Sequence, residues 1–303
     1  MLLIDTHAHV FEQFSGIKNG QPQISLSYGK IKTGNEISWF LPPSFAQSNS
    51  TIEMFMAHMD LYGVNKAVLL PNVFYGYHNE YLAHAVTRWP DRLIALALVD
   101  VTKGESAARQ LEQLLQQPEY CGLKIEVESA FQFRRDMLLD DREMEPIWQV
   151  CESQKAIVML HLYQGRDIGC MEELVKRWKN IQFVFCHTGA EAAFANARNA
   201  GDREALTHLV KRYDNAWYEV STTPAYLANE KYPFVEGSTY VEKLCYTVGA
   251  DKILWGSDYP GMLMRGTYEQ LIDYVLKDCK LTQGQREKIM GLNAQKLFFE
   301  GKR

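Results

Sequence analysis

Several signatures that would assign the 303-residue chain to a class are missing from it. It has no Cys-x-x-Cys pair. Its six cysteines (Cys121, Cys151, Cys170, Cys186, Cys245, Cys279) are scattered, which argues against a zinc–thiolate site or a disulfide framework. Reduced, structural thiols in a cytoplasmic protein are expected instead. There is no glycine-rich phosphate loop and no Gly-x-Ser-x-Gly elbow, so neither a nucleotide-binding open sheet nor a serine hydrolase is indicated. No apolar run approaches the ~18 residues of a membrane span. The start has no basic stretch, and Asp5, His7 and His9 interrupt its apolar residues, so no signal peptide is expected. A net charge of -5 gives no reason to expect nucleic acid or an anionic membrane as partner. Internal repeats, low-complexity segments and a linker are also lacking. The composition that remains, 47% hydrophobic and 23% charged, is that of an ordinary soluble globular protein. A homo-oligomer is compatible with it, and the sequence leaves the oligomeric state open.

What is present begins with Leu2-Leu3-Ile4-Asp5-Thr6-His7-Ala8-His9-Val10. Three apolar residues run into a His-x-His pair. A run that short suits a buried strand, and in a strand residues two apart share a face, so His7 and His9 aim the same way. Seven more short apolar runs follow, at Lys66–Pro71, Leu93–Val99, Gly122–Glu126, Ile157–His161, Phe183–His187, Trp217–Val220 and Ile253–Asp258. Helical stretches separate them, among them Ile52–Tyr62 behind a Ser50-Thr51 cap, Glu80–Arg88, Glu105–Gln116, Arg142–Ser153, Met171–Trp178 and Val241–Val248. Tyr268–Leu276 and Arg286–Phe299 close the chain. Continuous apolar runs rather than alternating ones mean strands covered on both faces, as in a parallel sheet. Eight strand–helix units in 303 residues predict an α/β fold, a single-domain (β/α)8 barrel spanning residues 1–303, with a doubly wound sheet as the alternative. Residues 11–50, polar and without helical period, read as a flap after the first strand. Ile24–Tyr28 is a candidate hairpin there, and Trp39, Phe40, Phe45 and Pro42-Pro43 argue for order.

In such a barrel, reactive residues gather at the C-terminal strand ends. Here those ends supply His7, His9, Lys124, His161, His187 and Asp258. Each alone reads as an ordinary polar, cap or turn residue. Together, in one barrel register, they read as a divalent-metal site: imidazole and carboxylate suit zinc, with manganese or iron as alternatives. His58, His78, His84 and His208 fall on helices or a loop and read as ordinary.

Ile4-Asp5-Thr6-His7-Ala8-His9, Trp89-Pro90-Asp91-Arg92, Gly122-Leu123-Lys124, His161, Phe185-Cys186-His187-Thr188-Gly189 and Leu254-Trp255-Gly256-Ser257-Asp258-Tyr259-Pro260 resemble the amidohydrolase superfamily. The resemblance is to its amidohydrolase-related (amidohydrolase 2) branch, which includes aminocarboxymuconate-semialdehyde decarboxylase-like enzymes, and it extends to Arg286–Ala294 but not to the flap. It implies a metal held by His7, His9, His161 and Asp258, with His187 as a further ligand or a polarising group, and Asp258 as the group that takes a proton from water. It implies either a hydrolase of a small lactone, amide or ester, placed first, or a non-oxidative decarboxylase of an unsaturated or aromatic acid. A non-catalytic barrel used for binding is a third reading, against which the complete set of ligand positions counts.

Lys124 has three readings. It is a carboxylated bridge between two metals, a cation near a substrate carboxylate, or an ion-pair partner of Glu126, with one metal placed ahead of two. Substrate-facing candidates are Tyr163 and Arg166 after strand five, Tyr259 after Asp258, Arg134 and Arg135 in the loop after strand four, and Trp39 and Phe40 in the flap. For each of these a packed or solvated loop residue is an equal reading.

Overall fold

A computed structural model describes residues 1–127, 137–190, 193 and 200–300. The first strand, β1 (Ile4–Ala8), leads into four short antiparallel strands, β2 (Ile17–Lys18), β3 (Gln21–Ser25), β4 (Lys30–Thr33) and β5 (Glu36–Trp39). Seven parallel strands follow, β6 (Lys66–Leu69), β7 (Leu93–Ala97), β8 (Tyr120–Val127), β9 (Ile157–Leu162), β10 (Gln182–Phe185), β11 (Ala216–Glu219) and β12 (Ile253–Leu254). They form one eight-stranded sheet with β1 in the order of the chain. The amide of Thr6 donates to Trp255 O at 3.1 Å and that of His9 to Tyr259 O at 2.7 Å, so the last strand meets the first. The expected eight-stranded barrel is the observed fold.

Side-chain alternation along each strand divides the core in two. Ile4, Val68, Leu96, Met159, Val184 and Leu254 point into the barrel, and Phe298 and Ala294 of the C-terminal segment pack against them. Their neighbours Ala67, Ala95, Leu123, Val158, Phe183 and Ile253 meet the helices. Because both faces are buried, these strands carry no polar side until they reach the end where the site lies. All six cysteines are buried, and none of them forms a disulfide among the described residues.

The flap is an ordered sheet. Its two ends join where Phe11 and Ser50 exchange backbone hydrogen bonds of 2.7 and 3.0 Å. The expected hairpin lies slightly later than drawn, turning at 26–29 between β3 and β4. Gly29 sits at φ +80°, and a Cβ there would lie 2.0 Å from Leu41 O, so only glycine lets the limb carrying Phe40 fold back. Thr51 caps the helix Ile52–Tyr62, while the Ser50 hydroxyl turns instead to His9 O at 3.1 Å.

Some element boundaries differ for identifiable reasons. The helix expected at Val241 starts at Val235, because the Glu230 carboxylate reaches forward to the amides of Glu236 and Gly237 at 2.8 and 2.9 Å. The last helix starts at Gln283, set by a Thr282–Gln285 capping box, and then widens into two π turns, Lys288–Leu292 and Gln295–Phe299. β10 stops at Phe185, so His187 lies not on the strand but in the tight turn after it.

One buried carboxylate ties the barrel seam. Asp5 accepts from the Ser257 amide at 2.9 Å, the Ser257 hydroxyl at 2.6 Å, the His7 amide at 3.0 Å and the Tyr268 hydroxyl at 2.9 Å. Asp5→Ala would leave these buried donors without an acceptor, each at about 1–3 kcal/mol. We expect a loss of roughly 3 kcal/mol or more in urea unfolding, against under about 0.5 kcal/mol for Glu112→Ala on an exposed helix face. Equal midpoints for the two variants would refute the assigned role of Asp5.

Candidate metal centre

His7 and His9 leave β1 on one face, as their spacing predicts, and both are buried. His161 comes from β9, His187 from the turn after β10 and Asp258 from the segment after β12. All five line one cavity of about 190 Å³. The rings of His7 and His187 lie 4.6 Å apart, those of His7 and His9 5.0 Å, and those of His161 and His187 4.8 Å. Asp258 Oδ1 lies 3.3 Å from His9 Nε2 and 3.6 Å from His7 Nε2. His7, His187 and Asp258 present donor atoms close enough to share one ion. His187 and Asp258 both hold left-handed backbone, at φ 53° and 54°, a strain of about 1–3 kcal/mol each that turns their side chains inward.

Each imidazole has an acceptor behind it. His9 Nδ1 lies 2.8 Å from Leu70 O and His7 Nδ1 3.1 Å from Glu219 Oε2. His161 Nδ1 lies 3.3 Å from Glu126 Oε2. His187 Nδ1 meets the Ser221 hydroxyl, which passes its own proton to Glu219 Oε2 at 2.9 Å. Such acceptors fix Nδ1 as the protonated nitrogen and leave the Nε2 lone pair free to bind a cation. Burial pushes the His7 and His187 pKa values well below the usual range, His7 adding to the effect at His187, so both rings are neutral. Asp258 is held below the carboxylate range. Burial opposes its charge, but the His9 contact and the neighbouring His187 and His7 rings outweigh it. The Thr222 hydroxyl donates to Asp258 Oδ2 and fixes the carboxylate. Neutral imidazoles beside an ionised carboxylate suit a divalent ion.

Glu219, Ser221 and Thr222 were not singled out in the sequence. Their signal was a polar run closing an apolar strand in the same register as Asp258. Glu219 is wholly buried, and its pKa rises to about 8 because burial outweighs the hydrogen bonds from Ser221 and the His187 amide. Its Oε1 has no hydrogen-bond partner among the described residues. Gly256 makes room for it: a Cβ there would lie 2.7 Å from Glu219 Oε1 and 2.6 Å from His7 Cβ.

Lys124 is fully buried and pairs with Glu126, the third of its three readings, and it does not line the cavity. Burial opposes the ammonium, but Glu126 more than compensates and its pKa is raised. Glu126 also takes the Asn72 amide at 3.1 Å and the Tyr163 hydroxyl at 3.2 Å. Tyr163 stacks on His161 at 4.3 Å and does line the cavity, as does Phe40. Trp39, Tyr259 and Arg166 do not line it. Trp39 ends a flap strand, half exposed with Lys30 4.7 Å over its ring. Tyr259 is buried against Phe55, His58 and Tyr268, on the opposite side of the chain from Asp258. The Arg166 guanidinium lies on the following helix, 4.0 Å from Asp167. Arg134 and Arg135 fall outside the described residues. Asn72, Phe74, Tyr75 and Tyr226 complete the wall, and none of them was singled out in the sequence. The Tyr226 hydroxyl is 3.4 Å from His161 Nε2.

Residues 4–299 match the sequence family described as Amidohydrolase. No curated protein matches the chain. A probable 2-pyrone-4,6-dicarboxylic acid hydrolase from Acinetobacter baumannii, solved with citric acid bound, aligns with a TM-score of 0.71 at 21% identity, over 98% of this chain and 99% of its own. A dihydroxybenzoic acid decarboxylase from Polaromonas sp. JS666, with bound manganese and 2-nitroresorcinol, gives 0.62 at 18% over 80% and 84%. A 5-carboxyvanillate decarboxylase from Sphingomonas paucimobilis gives 0.60 at 16% over 80% and 81%. At these identities the likeness is one of fold.

Replacing Glu219 by Gln keeps its shape but turns one of its two acceptor oxygens into an amide nitrogen, which disturbs the hydrogen bonds from His7, Ser221 and the His187 amide. We expect divalent-metal affinity, measured by titration against a competing chelator, to fall roughly 10–100-fold while circular dichroism is unchanged. Undiminished affinity would show that Glu219 does not orient His7.

Proposed function

The chain belongs to the amidohydrolase family, and on that premise we propose a metal-dependent hydrolase acting on a small carbonyl compound, a lactone, amide or ester. The observation that carries this reading is the convergence of His7, His9, His161, His187 and Asp258 on one cavity, each ring backed by an acceptor. A zinc, manganese or iron(II) ion held by His7, His9, His161 and Asp258, with His187 beside it, would supply a Lewis acid that polarises a carbonyl and acidifies water. Asp258, with Oδ2 anchored by Thr222, takes the proton of the attacking water and returns it to the leaving group. Nε2 of His187, left bare because Nδ1 donates to Ser221, faces the same cavity and would serve as a further ligand to the ion. Tyr163 and Tyr226 flank the substrate on either side of His161. The commitment of Lys124 to Glu126 supports one metal rather than two, since a bridging carbamate needs a neutral amine.

Decarboxylation is the second reading. The aromatic wall of Phe40, Phe74, Tyr75, Tyr163 and Tyr226 favours it, because it suits a planar unsaturated acid. Against it, no arginine or lysine lines the cavity among the described residues.

Elemental analysis of tag-free protein should find about one equivalent of divalent metal per chain, and His161→Ala should lose metal and activity together. Activity that survives complete removal of metal would overturn the proposal. With a panel of lactones and aromatic acids, ring opening without carbon dioxide release supports hydrolysis, and carbon dioxide release supports the second reading.

A further inference from the structure

Beside the catalytic cavity, and sharing no residue with it, lies a second hollow of about 690 Å³. It is bounded by the outgoing limb of the flap, the helix Ile52–Tyr62 and the loop after β12. Phe45, Met54, Leu263 and Tyr268 give it an apolar floor, and Lys231 and Arg265 stand on it. Among the described residues no aspartate or glutamate lines it, in a chain of net charge -5. Elsewhere on the surface Arg88, Arg92, Arg109, Arg177 and Arg212 each meet a carboxylate. Arg265 instead reaches a carbonyl, Glu230 O at 3.3 Å, and neither it nor Lys231 meets a carboxylate among the described residues. The Glu230 side chain is turned away to the amides of Glu236 and Gly237. Two adjacent cations without counter-charge over an apolar floor are complementary to a molecule with an apolar body and one anionic end.

We propose that this hollow is a second ligand site, for a small amphiphilic carboxylate. The apolar body lies on Phe45, Met54, Leu263 and Tyr268, and the carboxylate takes the guanidinium fork of Arg265 with Lys231 beside it. The site is independent of the metal reading, but it abuts the same elements. Pro42, Ser44 and Phe45 wall this hollow, while Phe40 on the same limb walls the catalytic cavity. His58, which also lines it, lies 5.3 Å from the ring of Tyr259, the residue after Asp258.

The test is calorimetric titration of the full chain with 4-phenylbutyrate and with its uncharged analogue 4-phenylbutanamide. The acid should bind saturably at one site and the amide about tenfold more weakly or less. Arg265→Gln, and separately the exposed Lys231→Gln, should each weaken the acid by about tenfold with metal content unchanged. His161→Ala should leave its affinity intact. Equal binding of acid and amide, or no binding into the millimolar range, overturns the proposal. So does loss of binding in His161→Ala alone, which would put the probe in the catalytic cavity. A dimer that buries Arg265 and Lys231 without any probe, seen by sedimentation, would assign the hollow to a second copy of the chain and also overturn it.

Discussion

The site depends on keeping charge off the imidazoles. Four histidine rings meet within a few ångströms, and as cations they would repel one another and any metal. Burial removes the water that would stabilise those cations, so His7 and His187 stay neutral. Neutral rings are useful only if the correct nitrogen is bare. Leu70 O, Glu219, Glu126 and Ser221 each occupy Nδ1. Each partner comes from a different part of the chain than its ring, from β8, from β11 or from just after β6 and β11, so the tautomer of each ring is a product of barrel closure rather than of local sequence. Glu219 by itself touches groups from β1, the turn after β10 and the segment that follows its own strand.

A second buried carboxylate organises the other half of the cavity. Glu126 joins Lys124, Asn72, Tyr163 and His161, and so couples β8, β9 and the loop after β6. A wholly buried ion pair contributes little net stability, since desolvation offsets much of the attraction. Its evident use here is positional: Lys124 balances a carboxylate that holds two residues of the cavity wall in place.

The barrel was legible because each strand is an apolar run with no solvent face, and the histidines were legible because they interrupt those runs at one end. His7 and His9 followed directly from strand periodicity. His187 was identified but assigned to a strand, since nothing in Phe185-Cys186-His187-Thr188 announces a left-handed turn. Glu219 is separated from His7 by 212 residues, and no local pattern carries that pairing. Tyr259 is a candidate because it follows Asp258 and Trp39 because it lies in the flap, but β5 carries Trp39 outward and the backbone at Asp258 sends its neighbour Tyr259 into the core. Phe40, one residue on, faces the cavity.

The flap leaves and rejoins the barrel at a single point, where Phe11 and Ser50 exchange two backbone hydrogen bonds. To the barrel, everything between those residues is a closed appendage whose two attachment points are already side by side. Lengthening or replacing such an appendage costs only the slowly growing entropy of a longer loop, and it disturbs no strand register. The insert is therefore modular. The barrel carries the five residues of the candidate metal centre and the flap adds Phe40 to the wall of the same cavity, so a lineage could exchange the flap while leaving those five residues in place.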